Sequence, residues 1–202
     1  MSDARRRRPA ILALVLFALA VPVLAGCAGA VVGAGAAVGV AAFEERSLKT
    51  IAADTKMATE VRLNLLEAGE EYTLKIGLKV FEGRALLTGA VPTEAMRAEA
   101  VKLTWKVAGI KDVINEVQIS DAGFLDTARD AWITTQLKSK LAVDQEIHAI
   151  NYSVETVNGI IYLIGIAQSQ VELDRVIGHA RNLGYVKKVI SHVRVKKSAA
   201  KT

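Results

Sequence analysis

The chain has 202 residues, with 26 Lys and Arg against 21 Asp and Glu, and one cysteine; this excludes an internal disulfide and leaves stability to packing. Four of the bases and one of the acids precede Cys27, so a chain starting there carries 22 bases and 20 acids, a net +2. The pI near 9.3 thus overstates the case for nucleic acid, which requires a concentrated basic face on a strongly basic domain.

The first 26 residues read as an export signal. Arg5 to Arg8 form a positive start, Ile11 to Val23 an apolar run, and Leu24-Ala25-Gly26-Cys27 a lipobox with small residues before the cysteine. The run falls short of the roughly 20 apolar residues that span a bilayer. The pattern resembles bacterial lipoprotein signals, which implies cleavage before Cys27, a diacylglyceryl group on its thiol and acylation of the new amino terminus. Each buried methylene contributes about 0.8 kcal/mol, so several acyl chains anchor far more firmly than one. Ala28 stands where inner-membrane lipoproteins of the enteric type tend to carry Asp, which by the same resemblance implies the inner leaflet of the outer membrane. Residues 28–42 are almost wholly Gly, Ala and Val, too small to pack a core. The stretch 27–52 is expected to be a lipidated tether, either a plain linker or one whose apolar part lies against the bilayer.

From Asp54 onward the chain repeats itself with an offset of 76 residues. Met57, Val61 and Leu65 become Ile133, Leu137 and Leu141, each set one apolar stripe on a helix. Asp54 and Asp130 just before them are expected as N-caps. Leu74, Ile76, Leu78 and Val80 alternate with Lys75, Gly77 and Lys79, the pattern of a strand with one buried face; Ile150, Tyr152, Val154 and Thr156 match them. Glu82-Gly83 and Asn158-Gly159 mark hairpin turns, and the returning strands, 85–89 and 161–165, are expected to end at Gly89 and Gly165. Second helices are expected at 93–107 and 169–183, with Ser169 and Glu172 at capping-box spacing. Gly109 and Gly184 are read as their terminators, one residue out of register. Final strands follow at 113–119 and 189–195. The fold class is therefore α+β: two tandem αββαβ units, 53–121 and 122–196, then a basic tail, 197–202.

This order and the paired glycines resemble the BON domain, a bacterial module of periplasmic and membrane-surface proteins. The resemblance covers roughly residues 53 to 196, and Trp132 to Ser139 is its closest local match to lipoprotein members. It implies that each unit is a three-stranded mixed sheet packed with two helices.

No group of residues supplies a nucleophile, a base and an orienting partner, so no enzyme and no cofactor are expected. His148, His179 and His192 are dispersed, without metal-ligand spacing, and the glycines form no phosphate-binding loop. The sharper signal is a difference between the repeats, since Trp132 replaces Lys56. It lies about 100° from Ile133 around the helix, off the apolar stripe, and an exposed Trp suits a membrane interface. Arg129 and Lys140 lie within about 60° to 80° of it, and Gln136 one turn away. Residues 122–202 carry eleven bases and seven acids, against nine and eleven in 53–121, so the second unit is the better partner for anionic lipid. By resemblance to lipoprotein members, its first helix is the expected contact with an anionic phospholipid membrane, through Arg129, Trp132, Gln136 and Lys140. The bland alternative places Trp132 at a domain edge or between domains. Trp105 is read as packing, and Lys187, Lys188, Lys196 and Lys197 either as added membrane attraction or as a solvated strand end and tail.

The implied function is support of outer-membrane integrity under stress, with envelope assembly proteins as further partners. The alternative implied by soluble members is a periplasmic chaperone-like or protein-interaction module.

Overall fold

A computed structural model describes residues 44–120 and 127–197. The signal peptide, Cys27, the residue 28–42 segment, the junction at 121–126 and the tail beyond Lys197 lie outside the described residues. The first repeat runs α1 (Leu48–Ala68), α2 (Glu70–Lys75), β1 (Ile76–Phe81), β2 (Arg84–Val91), α3 (Glu94–Trp105) and β3 (Asp112–Ile119). The second runs α4 (Thr127–Val143), a 3-10 turn (Ala149–Asn151), β4 (Tyr152–Val157), β5 (Ile160–Ala167), α5 (Gln170–Arg181) and β6 (Lys188–Val195). Each is a three-stranded mixed sheet, β1 antiparallel and β3 parallel to the central β2, with β4, β5 and β6 arranged likewise. The fold class is α+β, two like units in tandem. Among the described residues no helix is long and apolar enough to cross a membrane.

Five local expectations need correcting. Asp54 and Asp130 are not N-caps. Helix α1 begins at Leu48, capped by Ser47, whose side chain accepts from the Thr50 N–H. Asp54 is buried inside the helix, where its carboxylate accepts from Glu82 N–H (2.8 Å) and Gly83 N–H (2.9 Å). Asp130 does the same for Asn158 (2.6 Å) and Gly159 (2.8 Å). Both turn residues have positive φ in each hairpin, 53° and 77° in the first, 53° and 79° in the second. That is the tight turn whose twist suits a hairpin, and each aspartate ties it to the first helix of its repeat.

Leu74 belongs to α2 rather than a strand, and is 68% exposed; Ile150 lies in the 3-10 turn. Gly89 and Gly165 lie inside their strands, opposite Ile76 and Tyr152. A Cβ there would sit 2.1 Å from the Lys75 carbonyl oxygen and 2.0 Å from that of Asn151, so only glycine lets the incoming backbone pass. Gly184 has no left-handed backbone; the residue 76 positions after Gly109 is Tyr185, and it takes the positive φ, 68° against 96°. The repeat register therefore holds through this turn. The capping box is half formed: Ser169 Oγ accepts from Glu172 N–H at 3.1 Å, while the Glu172 carboxylate reaches back to Gln168 and His148 N–H.

The central strands are buried on both faces. From β2, Ala85, Leu87 and Val91 face their own helices, whereas Leu86 joins Phe81 in a second core with Val157, Tyr162 and Ile164. Ile161, Leu163 and Ala167 of β5 likewise face α4 and α5. Alternation along a strand puts these sets on opposite faces, so the repeats pack sheet against sheet. Fully burying side chains of this size contributes about 1.5–3 kcal/mol each.

The rim of that interface has two-fold character. Lys79 Nζ meets Glu155 Oε1 at 2.8 Å and Glu116 Oε1 meets His192 Nε2 at 2.8 Å, partners 76 residues apart. Each pair joins one position of the repeat to its own counterpart. Asn158 donates to Gln118 Oε1, and the corresponding residues Glu82 and Arg194 form an ion pair. This is the reciprocal contact of an isologous dimer, built within one chain. Identical side chains at the self-meeting positions would oppose like charges; the repeats differ there.

Candidate functional site

Helix α4 buries Asp130, Ile133, Leu137 and Leu141. The Asp130 clamp fixes its rotation against the β4–β5 turn, which sets Trp132 outward, 45% exposed. The Trp132 ring meets Tyr185 edge to face, with centroids 6.1 Å apart and planes at 75°. The Arg129 guanidinium stands 5.0 Å over the same Tyr185 ring. An aromatic pair of this geometry is worth about 0.5–1.5 kcal/mol, and an exposed cation–π contact about 0.5–1 kcal/mol.

Tyr185 sits on the stretch joining α5 to β6. Leu183 and Val186 on either side pack into the core, and Lys187 N–H donates to the Gly159 carbonyl at 2.8 Å. The stretch is thus pinned to the turn that Asp130 holds. Tyr185 remains 67% exposed with a left-handed backbone, which costs a non-glycine residue on the order of 1 kcal/mol. Its contacts with Trp132 and Arg129 offset that cost, and the ring still presents most of its surface to the outside.

Of the four residues singled out on α4, the structure gathers Arg129 and Trp132 around Tyr185. Gln136 is half-buried one turn on, and Lys140 is exposed about 12 Å from Trp132 along the helix axis. Tyr185 is absent from the residues the sequence singles out, because Gly184 offers a helix terminator one residue early; the 76-residue offset from Gly109 is the signal that marks it. The first repeat has Ala53, Lys56 and Gly109 where the second has Arg129, Trp132 and Tyr185. Lys56 there pairs with Glu60 at 3.7 Å. The cluster belongs to the second repeat alone. Trp105 is half-exposed at the end of α3, so it is no core residue; Leu103, Thr104 and Val107 fill that place.

The histidines hold the scaffold. His179 and Arg175 each meet an Asp144 carboxylate oxygen at 2.7 Å and together hold that carboxyl well below its usual range. His148 faces Glu172 and His192 faces Glu116 across the domain interface. No group of three metal-ligating residues occurs among the described residues.

Comparison with known proteins gives one family. The BON domain matches residues 53–121 and 129–197. The outer membrane lipoprotein DolP of Haemophilus influenzae is 33% identical over 171 residues, covering 83% of this chain and 87% of that protein. An Anaplasma centrale protein, "Uncharacterized protein in gshII 5'region", is 41% identical over 125 residues, covering 61% of this chain and 83% of its own. The osmotically-inducible protein Y of Escherichia coli is 27% identical over 146 residues, covering 71% and 73%.

Proposed function

Because the chain belongs to the BON-domain family, as two of these domains in tandem, we propose that it is a non-enzymatic envelope lipoprotein whose second domain rests on anionic phospholipid. Its similarity to an outer membrane lipoprotein supports an anchor of acyl groups on Cys27, facing the periplasm, and its similarity to an osmotically induced protein supports a role in envelope integrity under stress. The observation that carries the lipid reading is the cluster of Trp132, Tyr185 and Arg129, which the first repeat lacks.

Trp and Tyr rings favour the boundary between headgroups and acyl chains. Arg129 beside them, with Gln136 and Lys140 along the helix, is placed for phosphate contact, and the second repeat carries the positive balance. The two contacts reinforce each other. Residues 28–43 supply at most about 55 Å of chain between Cys27 and Glu44. Glu45 is held by Asn151, Gln168 and Lys196, at the far end of β5 and β6 from Tyr185. Strand β6 has 8 residues, about 26 Å, which is less than that maximum reach, so an anchor at Cys27 makes the second contact effectively intramolecular.

Trp132→Glu in a soluble fragment of residues 44–202 tests the site. Binding to phosphatidylglycerol liposomes should weaken at least tenfold while the fragment stays folded, its thermal unfolding midpoint falling by only about 2–4 °C for the lost aromatic pair; unaltered binding would remove α4 from the contact. The same substitution abolishing capture of an unfolded client in lipid-free buffer would favour a protein-interaction module instead.

A further inference from the structure

We propose that the open groove between the end of α5 and the start of β6 seats the phosphate of an anionic lipid headgroup, an assignment that rests on the membrane reading of the Trp132 face. The groove encloses about 490 Å³ and is lined by Arg181, Val186, Lys187, Lys188 and Val189. Three cations thus converge on one concavity. Three other basic side chains of this repeat are committed, Arg175 to Asp144 and Glu146, Arg194 to Glu82, and Lys196 to Glu45, and Lys138 and Lys140 lie on α4, away from this groove. Among the described residues no carboxylate pairs with Arg181, Lys187 or Lys188, and all three are exposed.

The first repeat shows what this place looks like without that charge. Trp105, Lys111 and Asp112 stand where Arg181, Lys187 and Lys188 stand, and Asp112 engages Arg84 at 3.7 Å. Arg181 alone would fit the negative C-terminal end of α5. Lys187 and Lys188 lie beyond the helix, so its dipole does not account for them. Their backbone is fixed, since Lys187 N–H bonds Gly159 and Lys188 pairs with Ile160 in the sheet.

Tyr185 is two residues before Lys187 and in contact with Trp132. Rings at the acyl boundary therefore bring the groove level with the phosphates. Every phospholipid offers a phosphate there, but phosphatidylcholine and phosphatidylethanolamine add a cation that the three bases repel. The groove selects headgroups whose phosphate carries no amine, such as phosphatidylglycerol.

The full chain with Trp105→Phe, which leaves Trp132 as its one tryptophan, is reconstituted in nanodiscs containing brominated lipid. Quenching of Trp132 reports the ratio of docked to undocked protein. That ratio should be high with phosphatidylglycerol and low with phosphatidylcholine. Arg181→Gln/Lys187→Gln/Lys188→Gln should lower it on the order of 100-fold in phosphatidylglycerol, at about 1 kcal/mol per basic residue near an anionic surface. Lys49→Gln/Arg62→Gln/Lys106→Gln, an equal charge change on the first domain, should leave it within threefold. Equal losses in both variants, or none in the groove variant, overturn the groove while leaving the membrane contact standing. A parent chain whose Trp132 is never quenched overturns both. Inorganic phosphate at millimolar concentration and matched ionic strength should not release Trp132; release would assign the groove to a free phosphate and defeat the lipid assignment.

Discussion

Tyr185 carries an energetic conflict in one residue. Its left-handed backbone costs on the order of 1 kcal/mol, and its edge-to-face contact with Trp132 returns about as much. Tyr185→Gly removes both terms and should leave unfolding free energy within about 1 kcal/mol of the parent. Tyr185→Ala keeps the strain without the ring and should be less stable than the glycine variant by about 1 kcal/mol. Urea titration of the three proteins gives this order directly, and an alanine variant as stable as glycine would show that the backbone is unstrained. Both variants should bind anionic vesicles more weakly, because the ring is lost in each. This residue was hidden in the sequence. Glycine is the usual left-handed terminator, and Gly184 offered one a residue early, so local propensity pointed away from Tyr185 while the repeat register pointed to it.

The elements were largely legible, because each has a period that the core enforces: stripes at i, i+4 and i+8 in α1 and α4, alternation in the edge strands, glycine pairs at the hairpins. What escaped was the second partner of each element. Asp54 and Asp130 looked like caps because nothing in the sequence announces a hairpin turn folding back onto a helix 28 residues earlier. Gly89 and Gly165 looked like strand ends because the approaching carbonyl comes from a distant residue. Close approach makes a sharp prediction. Gly165→Ala would place a Cβ 2.0 Å from the Asn151 carbonyl oxygen and should cost about 3 kcal/mol or more. Gly184→Ala meets nothing within 4 Å and should fall within about 0.5 kcal/mol of the parent. Equal effects at the two sites, read from denaturant midpoints, would contradict this account of the strand crossing.

At the scale of the whole molecule, two repeats make one body by packing sheet against sheet. The signal was present as a continuous apolar run in β5 and a nearly continuous one in β2, broken only by Thr88, which a strand with one wet face does not need. Tyr162 lies at the centre of this interface, its hydroxyl accepting from Gln118 at 3.2 Å. Burial pushes its pKa above the ordinary value near 10; burial and the Glu172 carboxylate do the same for Tyr152, whose buried hydroxyl has no hydrogen-bond partner among the described residues. The unfolded chain would ionise these phenols first. Their contribution is therefore full below about pH 10 and declines as pH rises above it. Tyr162→Phe should flatten the fall in unfolding midpoint between pH 9 and 11; an unchanged slope would show that Tyr162 ionises as readily folded as unfolded. Packing also leaves the Trp132 and Tyr185 face outside the interface, free for a third contact. Whether that contact is a membrane is tested most directly by co-sedimenting residues 44–202, without the acyl anchor, with phosphatidylcholine and phosphatidylglycerol liposomes across a salt series. Binding to the anionic vesicles alone, weakening as salt rises, is the predicted result; no binding to either would contradict a membrane contact in the second domain.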